Sequence, residues 1–336
     1  MAEWIALSDR PEPAQPPENG VLLEKASLIL EVSLPLKCGA VLLDYRRTQD
    51  WLRAFSVFHD PVAGVGILHR QGGSVVRHML AGPLPGDTGT ARIVFSWDAP
   101  KRLWVLRYEL LELGQVLTAQ GLNPMPLPLD DLVALCAGGG ESQRHPGLLW
   151  FGVTLGEAPP ERAPWLGLRT PIATPRGYVM AGHLRAGDLV LTRNAGVRAL
   201  ASVRRHDLPS RGSFAPVLLR APYFAAQTDL LVSADQLIAL SGVEVEYLFG
   251  EEEVLAEARH LTDGWSAIHD RRRAVTACVS LDIGAPDLII GAGCVLAGAQ
   301  HDVAPADRHQ VRRVLRSYEA VPLLALLGRG NRNRAA

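Results

Sequence analysis

The chain has 336 residues, with 34 Lys and Arg set against 35 Asp and Glu, and a pI near 6.8. A net charge of -1 gives no electrostatic case for nucleic acid or an anionic membrane surface, and no apolar run approaches the roughly 20 residues that span a bilayer. The length exceeds what a single hydrophobic core usually fills, so two domains are expected.

Chain order begins with MAEWIALSDRPEPAQ, which carries Glu3 and no apolar block. It is not a conventional signal peptide, so a cytoplasmic chain is expected, with export by another route as the alternative. Residues 1–20 include the Pro-rich DRPEPAQPPENG and read as an irregular arm. From 21 to 154 the text is a series of short β-runs: Ser27–Leu34, Gly39–Asp44, Phe55–His59, Val65–His69, Ser74–Leu80, Ala91–Trp97, Leu103–Leu111 and Leu148–Thr154. Alternation is visible in Ile93, Phe95 and Trp97, and again in Leu103, Val105 and Arg107. Turn chemistry separates the runs at Pro83–Asp87 and Trp97–Lys101. Strands at this spacing without helices between them indicate a sandwich of jelly-roll type. Asp44, Asp60, Asp87 and Asp98 are scattered singly and read as turn carboxylates rather than ligands for Ca²⁺. His59, His69, His78 and His145 are unclustered and read as strand or surface residues.

Residues 155–168, with Pro159, Pro160 and Pro164, read as a linker. Beyond it, Ile172–Thr174 and Leu189–Thr192 are β-runs separated by Pro175-Arg176-Gly177 and Ala186-Gly187-Asp188. Further β-text follows at Arg198–Arg204, Ala215–Leu219, Asp229–Ser233, Val243–Leu248, Ala274–Leu281 and Leu288–Ile290. Val254, Leu255, Ala258 and Leu261 mark a short amphipathic stretch after the acidic Glu251–Glu253. Val311, Val314, Leu315 and Tyr318 then stand at helical spacing, with Pro305 and Asp307 ahead of them, which predicts a C-terminal helix over 304–327 and a disordered basic tail over 328–336. Cys38, Cys136, Cys278 and Cys294 are far apart, with neither a CxxC pair nor metal-type spacing. They read as buried free thiols, and no cofactor or metal is expected.

Two resemblances fit this parse. Thr170, Ile172, Thr174, Pro175, Gly177, Leu184, Gly187, Asp188, Val190 and Thr192 reproduce a Thr-x-Ile-x-Thr-Pro-x-Gly run followed by Leu-x-x-Gly-Asp-x-Val-x-Thr. In this, residues 169–303 resemble a bacterial Hint domain, the self-processing β-fold of hedgehog proteins and inteins. The Leu230–Ser233 and Glu244–Glu251 segments extend the likeness in the same order. Ala91–Asp98 with Leu103–Leu106 resembles a strand pair of concanavalin-like lectin and laminin-G sandwiches, in which sugar binding is common. The fold class that follows is mainly β: an N-terminal sandwich, an all-β Hint-like domain and a short C-terminal helix.

The Hint resemblance implies an acyl shift, in which a Cys or Ser at the head of the domain attacks the preceding carbonyl while a His protonates the leaving nitrogen. The nucleophile's position corresponds to Trp165, and neither Cys nor Ser occurs from Leu155 to Val190. Gln236 stands where the family has its first His, after the Leu231-Val232-Ser233 strand, and an amide cannot deliver a proton near neutral pH. Ser280 and Pro286 align with late histidines. Thr170 and Cys278 are the substitute nucleophiles on offer. Thr170 also reads as a bridging hydroxyl and Cys278 as an inert buried thiol. His183, His206, His260 and His269 remain as acids outside the motif.

The sequence therefore reads as a non-catalytic binding or assembly protein on a degenerate Hint domain, its partner a protein or a glycan. Self-cleavage near residue 165 and carbohydrate binding in its own right are the alternatives.

Overall fold

The structure, a computed structural model, describes residues 4–10, 20–49, 51–86, 88–138, 141–156, 164–301, 303 and 311–332. Two compact units emerge, Met1–Glu161 with Arg211–Ser213, and Arg162–Ser210 with Phe214–Ala336. Among the described residues no helix is long and apolar enough to cross a membrane.

The first unit is a β-sandwich. One antiparallel sheet runs in the order Trp4–Leu7, Leu148–Thr154, Lys25–Leu34, Gly89–Asp98, Leu103–Leu110, Gln115–Leu122. The other runs Glu141–Arg144, Ala40–Arg47, Arg53–Asp60, Gly64–Gln71, Ser74–Ala81. Alternate residues of the two sheets fill one core, among them Leu28, Leu30, Val57, Ile67, Ile93, Phe95, Trp97, Leu106 and Tyr108. The Ile93/Phe95/Trp97 alternation marks the inward face as expected, whereas Leu103, Val105 and Arg107 lie on the outer face and Trp104, Leu106 and Tyr108 point inward.

Several expectations for this unit are corrected. Trp4–Leu7 is not part of an irregular arm: it is an edge strand paired with Leu148–Thr154, and Trp4, Ala6 and Leu7 are buried. The remainder of the arm, 11–19, lies outside the described residues. Leu129–Ala137 is a helix, closed by Gly138 in the left-handed conformation (φ 69°). It is tied to the sheet by the Tyr45 hydroxyl donating to Asp131 at 2.9 Å and by Arg53 at 2.7 Å from the same carboxylate. His59, His69 and His78 are strand residues, the first of the two readings offered for them, and all three are buried. Cys38 is exposed, while Cys136, Cys278 and Cys294 are buried free thiols.

Asp60 and Asp98 act as turn carboxylates. Asp60 accepts from the Val62 and Ala63 N–H groups, and Asp98 accepts from the Lys101 N–H and pairs with Lys25 at 3.5 Å. Asp44 instead sits within a strand and accepts from the Ser56 hydroxyl, and Asp87 lies outside the described residues.

The second unit has two sheets. Ser202–Pro209, Val275–Asp282, Leu166–Gly167, Leu230–Val232, Val217–Leu219 and Ala267–His269 form one in that order. The second joins Gly177–Met180, Pro171–Thr174, Leu288–Gly291, Cys294–Ala297, Leu237–Ser241 and Glu253–Glu257. The hairpin Leu189–Thr192/Gly196–Ala199 attaches through Thr192 opposite Ile289. The strand Leu166–Gly167 falls inside the stretch read as a linker, because its backbone bridges Val232 and Val279; residues 157–163 lie outside the described residues.

Val243–Phe249 is a helix and Glu253–Glu257 a strand, the reverse of the sequence reading. The C-terminal helix spans Ser317–Arg332, not 304–327 with a disordered tail after it. Val314 instead bridges Leu255, and the Leu255 N–H donates to the Arg313 carbonyl at 2.8 Å. The helix opens where Glu319 turns back to accept the Arg316 N–H, half of a capping box. Residues 304–310 and 333–336 lie outside the described residues.

Candidate functional site

The motif residues of the second unit are placed by backbone chemistry. Thr174 donates its hydroxyl to the Gly177 carbonyl at 2.6 Å and accepts the Arg176 N–H, which closes the hairpin between Pro171–Thr174 and Gly177–Met180. Gly177 takes φ 108° there and Gly187 φ 90° in the next turn, conformations that side-chain-bearing residues avoid. Asp188 caps that second turn by accepting the Arg185 N–H at 2.8 Å. Ile172, Leu184 and Val190 point into the core. The pattern encodes the β-framework and carries none of the reactive groups.

The positions expected to react gather around the short strand Leu166–Gly167. Trp165 is only 4% exposed. Its N–H donates to the Ser233 hydroxyl at 3.2 Å, and its carbonyl accepts the Ser233 N–H at 3.0 Å. Gly167 lies opposite Cys278, and Leu166 opposite Val279. Thr170 is buried in the turn that follows, its N–H bonded to the Gly167 carbonyl. Gln236, three residues beyond Ser233, is buried and donates its amide to the Ala297 carbonyl at 2.8 Å and the Leu237 carbonyl at 3.2 Å. Trp165, Ser233, Cys278 and the Gln236 loop are thus brought into one neighbourhood of strand partners.

What this arrangement can do chemically is limited. An indole has no nucleophilic heteroatom suited to an acyl shift, and an amide holding two carbonyls is a structural donor rather than an acid. The Cys278 thiol donates to the His206 carbonyl at 3.5 Å, and burial pushes its pKa far up, away from the reactive thiolate. The Ser280 hydroxyl is buried and has no hydrogen-bond partner among the described residues. Burial holds both His260 and His269 below the ordinary imidazole range. Among the described residues no three His, Cys, Asp or Glu side chains converge as a metal site.

One polar constellation was not legible in the sequence. Ser202 and His301 lie 2.5 Å apart through the hydroxyl and Nδ1, and Asp282 stands 3.7 Å from that same nitrogen while accepting the His301 N–H at 2.8 Å. A relay needs serine and carboxylate on opposite ring nitrogens. Here both address Nδ1, so the geometry is that of a buried clamp between the strand ends. Ser202 and His301 are 99 positions apart and belong to no motif, so nothing in the text pairs them.

The family model for the Hint domain matches residues 168–295. Those residues are a Hint domain. The matched span begins three residues after Trp165.

Among solved structures, the MchDnaB-1 intein is 18% identical, the likeness covering 40% of this chain and 99% of that one at a TM-score of 0.28. The CBM40 of the Ruminococcus gnavus IT-sialidase is 13% identical over 40% of this chain and 64% of that one, at 0.25. Tailspike protein 2 from Escherichia coli O157:H7 bacteriophage CAB120 is 10% identical over 39% and 17%, at 0.21. At these identities and scores they are likenesses and no more. No curated protein sequence matches the chain.

The locked Gln236 amide gives a direct stability test of its structural role in the Hint domain. Gln236→Leu keeps the approximate volume but strips the Ala297 carbonyl of its buried donor. A loss of about 1–3 kcal/mol is expected, read as a lower denaturant midpoint of the full chain. An unchanged midpoint would show that the amide is incidental.

Proposed function

We propose that this chain is a non-catalytic binding or assembly protein, in which a degenerate Hint domain serves as scaffold beside a lectin-like sandwich. The observation that carries the reading is the state of Trp165 and Gln236. Both are buried, and both are bound into the backbone where the family needs a nucleophile and an acid. The framework residues of the motif are kept while the reactive positions have become packing and tethering groups. Binding surfaces would lie on the retained frame, with a protein or a glycan as partner. Three buried free thiols also suit a reducing, cytoplasmic setting, with export by another route as the alternative.

Intact-mass measurement of freshly purified chain, before and after incubation with a thiol and with hydroxylamine, tests the reading. These nucleophiles trap any ester or thioester that forms. A single species at the full 36.3 kDa in every condition is expected. Fragments cut near residue 165 would overturn the proposal in favour of self-processing, with Thr170 and Cys278 then the first residues to mutate.

A further inference from the structure

The second unit holds a cleft of about 660 Å³ that shares no lining residue with the Trp165 and Gln236 neighbourhood. Its volume lies within the range of small-molecule sites. One wall is aromatic, formed by Tyr223, Phe224 and Trp265, and the floor includes Leu240 and Leu324. Trp265 is 57% exposed, an unusual position for a large indole, yet it is held firmly. Its Nε1–H donates to the Tyr223 hydroxyl at 2.6 Å, its backbone N–H is held by Asp263 at 2.7 Å, and Arg220 packs 5.7 Å from the ring. Phe224 and Ala225, neither of them glycine, take φ 57° and 59°, so the wall carries backbone strain of the kind found at ligand clamps.

Charge narrows the ligand. Glu244, Glu253 and Asp263 face the cleft against a single guanidinium, that of Arg193. Arg193 is already turned to Glu253 at 3.4 Å, and Arg312 approaches the other oxygen of that carboxylate at 3.3 Å. An anion therefore meets excess negative charge and no uncommitted cation among the lining residues. Glu253 is 7% exposed, and its Oε2 accepts no hydrogen bond among the described residues. Glu244, also in the lining, is half-buried. Aromatic faces with a carboxylate beside them and an apolar floor below suit a weakly hydrated organic cation, drawn to the rings by their quadrupoles and to the acids by charge.

We propose that this cleft is a binding site for a small alkylammonium ligand, with Trp265 and Tyr223 as the aromatic wall and Glu244 as its counter-charge.

Choline titrated into the full chain, followed by the Trp265 indole N–H resonance, is the direct test. A saturable shift of that resonance is expected. The neutral isostere 3,3-dimethylbutan-1-ol should bind at least about tenfold more weakly, and 3,3-dimethylbutanoate should not bind measurably. Glu244→Gln should weaken choline severalfold, Trp265→Ala about tenfold or more, and Trp265→Phe should recover part of the loss while keeping the fold. Equal binding of choline and its neutral isostere would overturn the assignment in favour of an unspecific apolar groove. A Trp265 resonance that choline does not move would overturn the site itself.

Discussion

Replacing Glu31 with alanine is expected to lower the stability of the first unit by about 3–5 kcal/mol, because it strands a buried charge. Glu31 is fully buried in the middle of Lys25–Leu34. Its Oε1 accepts from Arg92 Nε at 3.0 Å and Nη2 at 2.6 Å, and from the Ser213 hydroxyl at 2.6 Å. Its Oε2 accepts from the Trp150 indole at 2.9 Å and from the Ser213 N–H, which belongs to the same unit, at 2.8 Å. Truncation removes the acceptor for all of these donors at once, and leaves Arg92 the Ser213 hydroxyl at 2.9 Å and Glu109 at 3.6 Å. A double variant, Glu31→Leu with Arg92→Met, removes both charges and replaces them with apolar volume, so its cost should fall well below the sum of the two single variants. Amide exchange across Lys25–Leu34 and Gly89–Asp98 in the full chain reports the change locally. A loss under about 1 kcal/mol for Glu31→Ala, or strict additivity in the double variant, would show that the network is not what holds these strands.

The strand framework was legible where burial on one face forces a period of two. Ile93, Phe95 and Trp97 keep the period although Arg92 and Val94 between them are buried as well, and the predicted run became Gly89–Asp98. Where burial is weak, the period misleads. Val243-Glu244-Val245-Glu246-Tyr247 alternates like a strand, yet only Val245 is buried, so no sheet face rewards the alternation. Gly250 decides the matter by closing a helix from the left-handed conformation, its N–H bonded to the Glu246 carbonyl. The opposite error occurs at Val311–Leu315, whose spacing with Tyr318 is helical. There the edge at Leu255 offers strand hydrogen bonds to Arg313 and Leu315, and long-range pairing overrides local periodicity.

The candidate site was half legible for a related reason. Trp165 and Gln236 stand out in the sequence because they interrupt an ordered pattern, whose framework residues Thr174, Gly177, Gly187 and Asp188 form turn chemistry. What those two side chains do instead depends on Ser233 and on the Ala297 carbonyl, and no spacing rule connects positions 61 residues apart. The aromatic cleft is harder still. Tyr223, Trp265 and Glu253 come from three separate loops and strands, and only the folded chain sets them around one space.

Acid should unfold the first unit through its buried histidines. His78 stacks on Phe95 with 5.1 Å between ring centroids and lies 4.8 Å from Trp104. His69 meets Phe55 edge-on at 5.9 Å, and its Nε2 lies 3.0 Å from the Gln71 amide nitrogen. His59 lies 3.5 Å from the Tyr108 hydroxyl. Burial lowers His78 from the ordinary 6.5 to about 4, and burial together with the neighbouring His78 brings His69 to about 4; burial lowers His59 too. The unfolded chain therefore binds protons before the folded one does. Stability is fully present above pH 6.5 and falls as pH drops toward 4, where the loss levels off. Each of His69 and His78 accounts for roughly 3 kcal/mol across that window, against total stabilities of about 5–15 kcal/mol for a domain. The perturbed carboxylates, such as Asp60 and Asp98, are lowered from 3.8 and act only nearer and below that value, so the span from pH 6.5 to 4.5 isolates histidine. His260 and His269 titrate in the same span within the second unit, so the readout must be local. Peptide-resolved amide exchange over Arg53–Leu110, corrected for intrinsic rates, should show protection falling from pH 6.5 to 4.5 in the full chain. His78→Phe keeps an aromatic ring between Phe95 and Trp104 without the titrating nitrogen, and should roughly halve the slope. A wild-type profile flat to pH 4.5, or an unchanged slope in the variant, would place acid sensitivity outside this core.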